Sequence, residues 1–95
     1  MAKLSDRIVA KVVRILKSHG VKRAGLFGSA ARGDMSRKSD IDILVEFKKK
    51  TGLLDLCGIE IELEKVTSRD VDLLTYRSLH PLIRDRVLAS EARII

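Results

Sequence analysis

Near the start of the chain, hydrophobic residues recur at the spacing of a helix and then give way to a short apolar segment. The helical positions are Ile8, Val9, Val12, Val13 and Leu16. Ser5 is placed to cap the beginning of this helix, and Gly20 is expected to end it. The segment VKRAGLF at 21–27 follows and predicts a first strand that ends at the dipeptide Gly28-Ser29.

Two later segments alternate between apolar and polar residues, as strands do when their two faces differ. In DIDILVEF at 40–47, one side carries Ile41, Ile43, Val45 and Phe47, and the other carries Asp40, Asp42, Leu44 and Glu46. In DVDLLTY at 70–76, one side carries Val71, Leu73 and Thr75, and the other carries Asp70, Asp72 and Leu74. Both segments therefore place aspartates together on one face of a strand.

The remaining segments predict helices. A short helical turn is expected at 30–32, followed by a polar loop that continues to Ser39. A helix is predicted at roughly 53–65, with an apolar face made of Leu53, Leu54, Leu56, Cys57 and Ile61. Pro81 suits the first turn of a last helix at roughly 79–90, and ARII predicts a short final strand. Helices and strands thus alternate, which indicates the α/β class.

Composition narrows the class of protein. The 95 residues suffice for one domain, 1–95, and 45% hydrophobic with 34% charged residues is typical of a folded chain. No apolar run approaches the roughly 20 residues that span a bilayer, and the N-terminal segment does not have the pattern of a signal peptide. Cys57 is the single cysteine, so no internal disulfide can form, and we expect a cytoplasmic protein.

The net charge of +6 points to an anionic partner, either a nucleotide, a nucleic acid or an acidic protein. A basic nucleic-acid-binding module is one alternative, with the lysines at 48–50 as its basic segment. Aromatic residues make up only 3% of the chain, and Phe27 and Phe47 fall in core-facing patterns. Little is left to stack on exposed bases, so direct nucleic-acid binding is not expected.

Asp40 and Asp42 are the most informative residues, because a core strand does not normally accept carboxylates. Residues two apart on a strand project together, about 6.6 Å from each other. Two such charges repel by roughly 3 kcal/mol at about 6 Å and an effective dielectric constant near 20. Asp72 on a neighbouring strand would add a third charge. Converging carboxylates suit hard divalent cations, which prefer oxygen ligands.

The dipeptide Gly28-Ser29 is predicted to lie beside these carboxylates. Its small side chains let backbone amides and a hydroxyl approach a phosphate. A phosphate-binding turn next to a carboxylate cluster predicts metal-assisted phosphoryl or nucleotidyl transfer. No Gly-Lys-Ser or Gly-Lys-Thr follows the glycines, so the turn is not a P-loop.

FGSAARG, followed by SDIDILV and later VDLL, resembles the minimal nucleotidyltransferases of the DNA polymerase β superfamily. The resemblance covers residues 5–95. It implies a small mixed sheet of three to four strands flanked by helices. It also implies that Asp40 and Asp42 bind two Mg²⁺ ions, which Mn²⁺ can replace, and that Asp72 completes one site and helps to deprotonate the attacking hydroxyl. Gly28 and Ser29 would hold the nucleotide phosphates, with Arg32 as a further phosphate contact.

Minimal domains of this family commonly pair with a HEPN-domain toxin and act as its antitoxin. The resemblance therefore implies a hetero-oligomer in which AMP is transferred from ATP, or a nucleoside monophosphate from another NTP, to a tyrosine of the partner. The short chain leaves no room for an acceptor-binding domain, so the acceptor surface is expected on another molecule. A second alternative is a non-catalytic antitoxin that neutralises its partner by contact alone.

Overall fold

The computed structural model describes residues 4–33 and 40–95, without the side chains of Ser29 and Arg32. The elements run in the order α1 (Asp6–Ser18), β1 (Val21–Phe27), α2 (Gly28–Arg32), β2 (Ile41–Phe47), α3 (Leu53–Thr67), β3 (Val71–Thr75), a 3₁₀ turn (Tyr76–Ser78), α4 (Pro81–Ser90) and β4 (Ala92–Arg93). The predicted α/β class and order of elements are confirmed. Most of the predicted polar loop, residues 34–39, lies outside the described residues.

The strands form one mixed sheet in the order β3-β2-β1-β4. β1 pairs antiparallel with both β2 and β4, whereas β2 pairs parallel with β3. A parallel pair needs a crossover connection, and α3 supplies it between β2 and β3. The mixed sheet expected from the family resemblance is therefore confirmed, with four strands.

One face of the sheet is covered by α1 and α3 and forms the larger core. Its most deeply buried side chains include Val12, Leu16, Ala24, Ile41, Ile43, Val45, Ile59 and Leu63. These side chains come from alternate positions of the strands and from one face of each helix, as the periods of the two structures require. Asp42 and Asp72 occupy the other alternate positions of β2 and β3, so they lie on the opposite face of the sheet.

The opposite face is covered in part by α4 and the 3₁₀ turn. A second, smaller cluster there contains Leu44, Tyr76 and Leu79, with Phe27 and the α4 residues Val87 and Leu88 packed against it. Leu44 is fully buried although it alternates with Asp42 and Glu46 on the same side of β2. The face that carries the aspartates therefore has an apolar half under α4 and an open, polar half.

The predicted ends of α1 agree with the structure, whereas α2 begins at Gly28 rather than at residue 30, α3 ends at Thr67 rather than near 65, and α4 begins at Pro81 rather than near 79. Ser5 Oγ accepts a hydrogen bond of 3.2 Å from the backbone N–H of Ile8, and Gly20 follows α1 with a φ of +81°. Pro81 is the first residue of α4, as expected. In the ranges 4–33 and 40–95, no helix is long and apolar enough to cross a membrane.

The predicted apolar face of α3 is largely wrong. Leu53, Leu54, Cys57 and Ile61 are exposed, and of the predicted set only Leu56 packs against the core. The face that packs inward instead contains Ile59, Leu63 and Thr67. Apolar residues occur on nearly every side of this helix, so periodicity alone does not select a face. The choice is made by α1 and β3, against which the helix packs.

Candidate functional site

Asp42 and Asp72 lie side by side on neighbouring strands. They are register partners in the parallel pair of β2 and β3, so their Cα atoms are about 4.8 Å apart, the usual spacing between strands. Directly paired residues project from the same face of a sheet. Asp42 is half-buried and Asp72 is exposed. The structure thus brings together two of the three carboxylates that the sequence singles out, on the open half of the sheet.

Gly28 lies directly against Asp42. Phe27, the last residue of β1, is the register partner of Asp42, and the chain turns into α2 at Gly28 with a φ of +65°. A Cβ atom at Gly28 would lie only 2.7 Å from Asp42 Oδ2. Both the positive φ and the close approach of Asp42 favour glycine here. The predicted role of this turn in binding phosphate stays a prediction.

Asp40 lies immediately before β2 and is exposed. The next residue, Ile41, donates a hydrogen bond of 2.9 Å from its backbone N–H to the carbonyl of Asp70, which ties the start of β2 to the start of β3. The side chains of Ser29 and Arg32 lie outside the described part of the structure, so their predicted contacts with phosphate stay predictions.

The residue types at the start of β2 and β3 fit a hard divalent cation. Carboxylate oxygens are the ligands that Mg²⁺ prefers, and Mg²⁺ usually binds through one or two carboxylates together with substrate phosphates and water. Asp42 and Asp72 supply two such groups on one open face. Over residues 4–33 and 40–95, no three acidic, histidine or cysteine side chains form a metal-binding group by themselves. The predicted three-carboxylate site therefore stays a prediction.

The basic surface does not carry exposed aromatic rings. The lysines at 48–50 are exposed after β2, whereas Phe27 and Phe47 are half-buried and Tyr76 is buried. These are the only aromatic residues in the chain. Proteins that bind single-stranded nucleic acids stack the bases on exposed aromatic rings, and none of these three rings is exposed.

Further along the same face of the sheet lies a polar cluster that the sequence did not predict. Glu91 follows α4, and its side chain is only 4% exposed. It accepts a hydrogen bond from the Tyr76 hydroxyl and one of 3.3 Å from Arg23 Nη2. The Arg23 guanidinium also lies 4.3 Å from the centre of the Tyr76 ring. Gly25 makes room for the carboxylate, because a Cβ atom there would overlap the Glu91 side chain.

This cluster shifts the titration of Tyr76. Burial raises the pKa of the phenol well above its usual value, and the hydrogen bond to the Glu91 carboxylate raises it further. Tyr76 therefore remains a protonated donor at every pH at which the protein would work. No local sequence pattern predicts the cluster, since Arg23 and Glu91 are far apart in the chain.

Comparison with known protein families gives one match that spans most of the chain. The model of the nucleotidyltransferase domain family matches residues 9–93. A protein of Methanocaldococcus jannaschii, named as an inferred protein adenylyltransferase, is 53% identical over 87% of this chain and 89% of its own length. The protein adenylyltransferase MntA of Thermococcus cleftensis is 33% identical over 93% of this chain and 89% of its own length.

Solved structures give the same result for the fold. A crystal structure described as a toxin–antitoxin with AMP-PNP aligns with a TM-score of 0.82 and 25% identity, over 92% of this chain and 72% of that one. A structure of a tri-AMPylated Shewanella oneidensis HEPN toxin with an MNT antitoxin aligns with a TM-score of 0.75, over 94% and 70% of the two chains. At 21% identity, the second alignment supports the shared fold alone.

Proposed function

This chain belongs to the nucleotidyltransferase domain family, whose members generally use divalent metal ions, and from this premise we propose that it transfers AMP from ATP to a hydroxyl group on a partner protein. The observation that carries the proposal is the contact between Gly28 and Asp42, with Asp72 in register beside it. A turn that admits phosphate therefore borders a pair of carboxylates that suits a divalent cation.

In this proposal Asp40, Asp42 and Asp72 hold two Mg²⁺ ions, or Mn²⁺ in their place. Bound there, the ions would neutralise the negative charge that develops on the transferred phosphoryl group. Gly28 and Ser29 receive the phosphates of ATP, with Arg32 as a further contact. The support is the turn at Gly28, which has a positive φ and no side chain and lies in contact with Asp42.

The chain's own residues orient the two reactants. With phosphate held at Gly28, the α-phosphorus of ATP would lie near the carboxylates of Asp42 and Asp72. Asp72 takes the proton from the acceptor hydroxyl, the oxygen bonds to the α-phosphorus, and pyrophosphate leaves. Asp72 is exposed, so a large acceptor can approach it. Holding both reactants in this way is the main contribution of such a site.

For the acceptor, we infer a tyrosine of a HEPN-domain toxin, in a hetero-oligomer where this chain is the antitoxin. The relatives named as protein adenylyltransferases and the toxin–antitoxin structures with the same fold support this inference. The single sheet with its two cores supports one domain over 1–95. A cytoplasmic location is supported by the unpaired thiol of Cys57, which is exposed.

The test uses this protein, a candidate HEPN-domain partner, ATP and Mg²⁺, with the partner's intact mass as the readout. We expect the partner to gain about 329 Da for each AMP, the product of nucleotidyl transfer. An Asp40→Asn/Asp42→Asn variant is expected to bind the partner and leave its mass unchanged. Asp6→Asn/Asp55→Asn is the matched control, since it removes the same charge from exposed helix positions.

Two outcomes would contradict the proposal. If no HEPN-domain partner gains mass with the parent protein, the chain does not act as the proposed enzyme. If the Asp40→Asn/Asp42→Asn variant neutralises the toxin as well as the parent does, catalysis is dispensable and the contact mechanism is correct. Co-purification of partner and variant shows that binding is retained in either case.

A further inference from the structure

The strand that carries Asp72 lies at the edge of the sheet, and its outer side is held by α3. The backbone N–H of Val71 donates a hydrogen bond of 3.0 Å to Glu64 Oε2, and that of Leu73 donates one of 3.1 Å to Glu60 Oε2. On its inner side β3 pairs with β2. Asp72 is therefore flanked by residues whose outward amides are bound by carboxylates of a single helix.

The spacing of the two glutamates matches the spacing of the two amides. Residues four apart on a helix are separated by about 6.0 Å along its axis and lie on the same side. Residues two apart on a strand are separated by about 6.6 Å, and their amides point to the same edge. Glu60 meets Leu73 and Glu64 meets Val71, so α3 and β3 run in opposite directions along this contact.

Edge strands normally leave alternate amides free, either for water or for another strand. In β3, the two amides beside Asp72 already have acceptors within the chain. A carboxylate bound to a backbone N–H makes a charge-assisted hydrogen bond, which is stronger than one between neutral groups. β3 is thereby held on both sides next to Asp72. A displacement of the strand at this residue would move the Asp72 carboxylate away from Asp42.

We propose that Glu60 and Glu64 are positioning residues that hold Asp72 in register with Asp42, and so set the affinity of the site for its divalent cation. This inference rests on the proposed role of Asp72 in binding the metal. It assigns a function to the i, i+4 pair of glutamates on α3, which are half-buried against the edge of β3 although they are charged. Partners of metal ligands outside the coordination sphere affect metal binding in the same way.

The test compares three variants of the full chain. Glu60→Leu/Glu64→Leu removes both acceptors and keeps good helix formers. Glu60→Gln/Glu64→Gln removes the charge and keeps an acceptor oxygen at each position. Glu62→Leu is the matched control, because Glu62 lies on the same helix, is exposed and pairs with His19. Should the Leu double variant fail to fold, the single variants Glu60→Leu and Glu64→Leu replace it.

The first measurement is amide hydrogen exchange, which does not depend on catalysis. We expect the amides of Val71 and Leu73 to exchange about tenfold faster or more in the Leu variant, the effect of losing a hydrogen bond to a charged group. Exchange in Glu62→Leu should stay near that of the parent, and exchange in the Gln variant should lie between those of the parent and the Leu variant. The Lys48 amide, bound to the Gly20 carbonyl away from β3, is the internal reference. Unchanged exchange in the Leu variant overturns the proposal.

The second measurement is Mn²⁺ binding in the presence of AMP-PNP, followed by the electron paramagnetic resonance signal of free Mn²⁺. We expect the dissociation constant to rise about 10- to 100-fold in the Leu variant, as for other residues that support metal ligands. Faster amide exchange with unchanged Mn²⁺ affinity overturns the positioning role. If the parent binds Mn²⁺ and the Leu variant binds it more weakly, but the parent transfers no AMP, only the proposed function is contradicted. Absence of any Mn²⁺ binding overturns both.

Discussion

Adding one Cβ atom at Gly28 is expected to lower the activity of this protein much more than its stability. Gly28 has a φ of +65°, and a Cβ atom there would lie 2.7 Å from Asp42 Oδ2. Ordinary contact begins at 3.4 Å, so the carboxylate must withdraw by about 0.7 Å in Gly28→Ala. Asp42 can do this by rotating its side chain, because the overlapping atom is the end of that side chain. The displaced group is the proposed metal ligand.

The chain offers a matched control at Gly20, which also has a positive φ but where an added Cβ atom would meet nothing within 4 Å apart from its chain neighbours. A left-handed backbone costs a residue with a Cβ roughly 1–2 kcal/mol, and part of this is offset because alanine restricts the unfolded chain. Both Gly20→Ala and Gly28→Ala should therefore lose about 1 kcal/mol of unfolding free energy. At Gly28 the displacement of Asp42 adds to this loss.

Activity should differ between the two variants. A misplacement of about 1 Å in a catalytic site can cost about 100-fold, so a shift of about 0.7 Å is expected to lower the rate of AMP transfer by about 10- to 100-fold in Gly28→Ala. Gly20→Ala should keep the parent rate at temperatures where it is folded. The unfolding free energy is measured by urea denaturation, and transfer by the partner's mass as a function of time. Equal transfer rates in both variants would refute the argument that Gly28 makes room for Asp42.

Two other predictions follow from the same face of the sheet. Asp42→Asn should leave the metal-free protein as stable as the parent or more so, because it removes one of two like charges that are register partners on neighbouring strands. It should also abolish most of the rise in melting temperature caused by Mg²⁺ with ATP; an unchanged rise would show that the cation binds elsewhere. Tyr76→Phe should remove a loss of stability at high pH. The raised pKa of Tyr76 means that the folded protein keeps a proton that the unfolded chain releases, so the parent loses about 1.4 kcal/mol per pH unit above a pH of about 10. Denaturation of both proteins between pH 9 and 11 (roughly the range around the usual tyrosine pKa) checks this, and equal slopes would contradict it.

The strands and the order of elements could be predicted because their signals are local. Alternation in 40–47 and 70–76 identifies the faces of β2 and β3, and a Gly at the end of an apolar strand identifies the turn into α2. The strand patterns predict that Asp72 lies on a strand near Asp42, but not that the two residues are register partners. Their register depends on α3 crossing over to make the two strands parallel, which no short segment specifies.

The buried face of α3 was predicted wrongly for a physical reason. The same reason explains why Glu60 and Glu64 lie against β3. A helix with apolar residues on several sides can bury any of them, so its orientation depends on what it packs against. In this fold α3 must cover the core next to α1 and also lie along the unpaired edge of β3. Only the face with Ile59 and Leu63 inward brings Glu60 and Glu64 to the amides of β3. Leu53 and Leu54 are left exposed as a consequence, and burial of those leucines would leave two amides beside Asp72 without their acceptors.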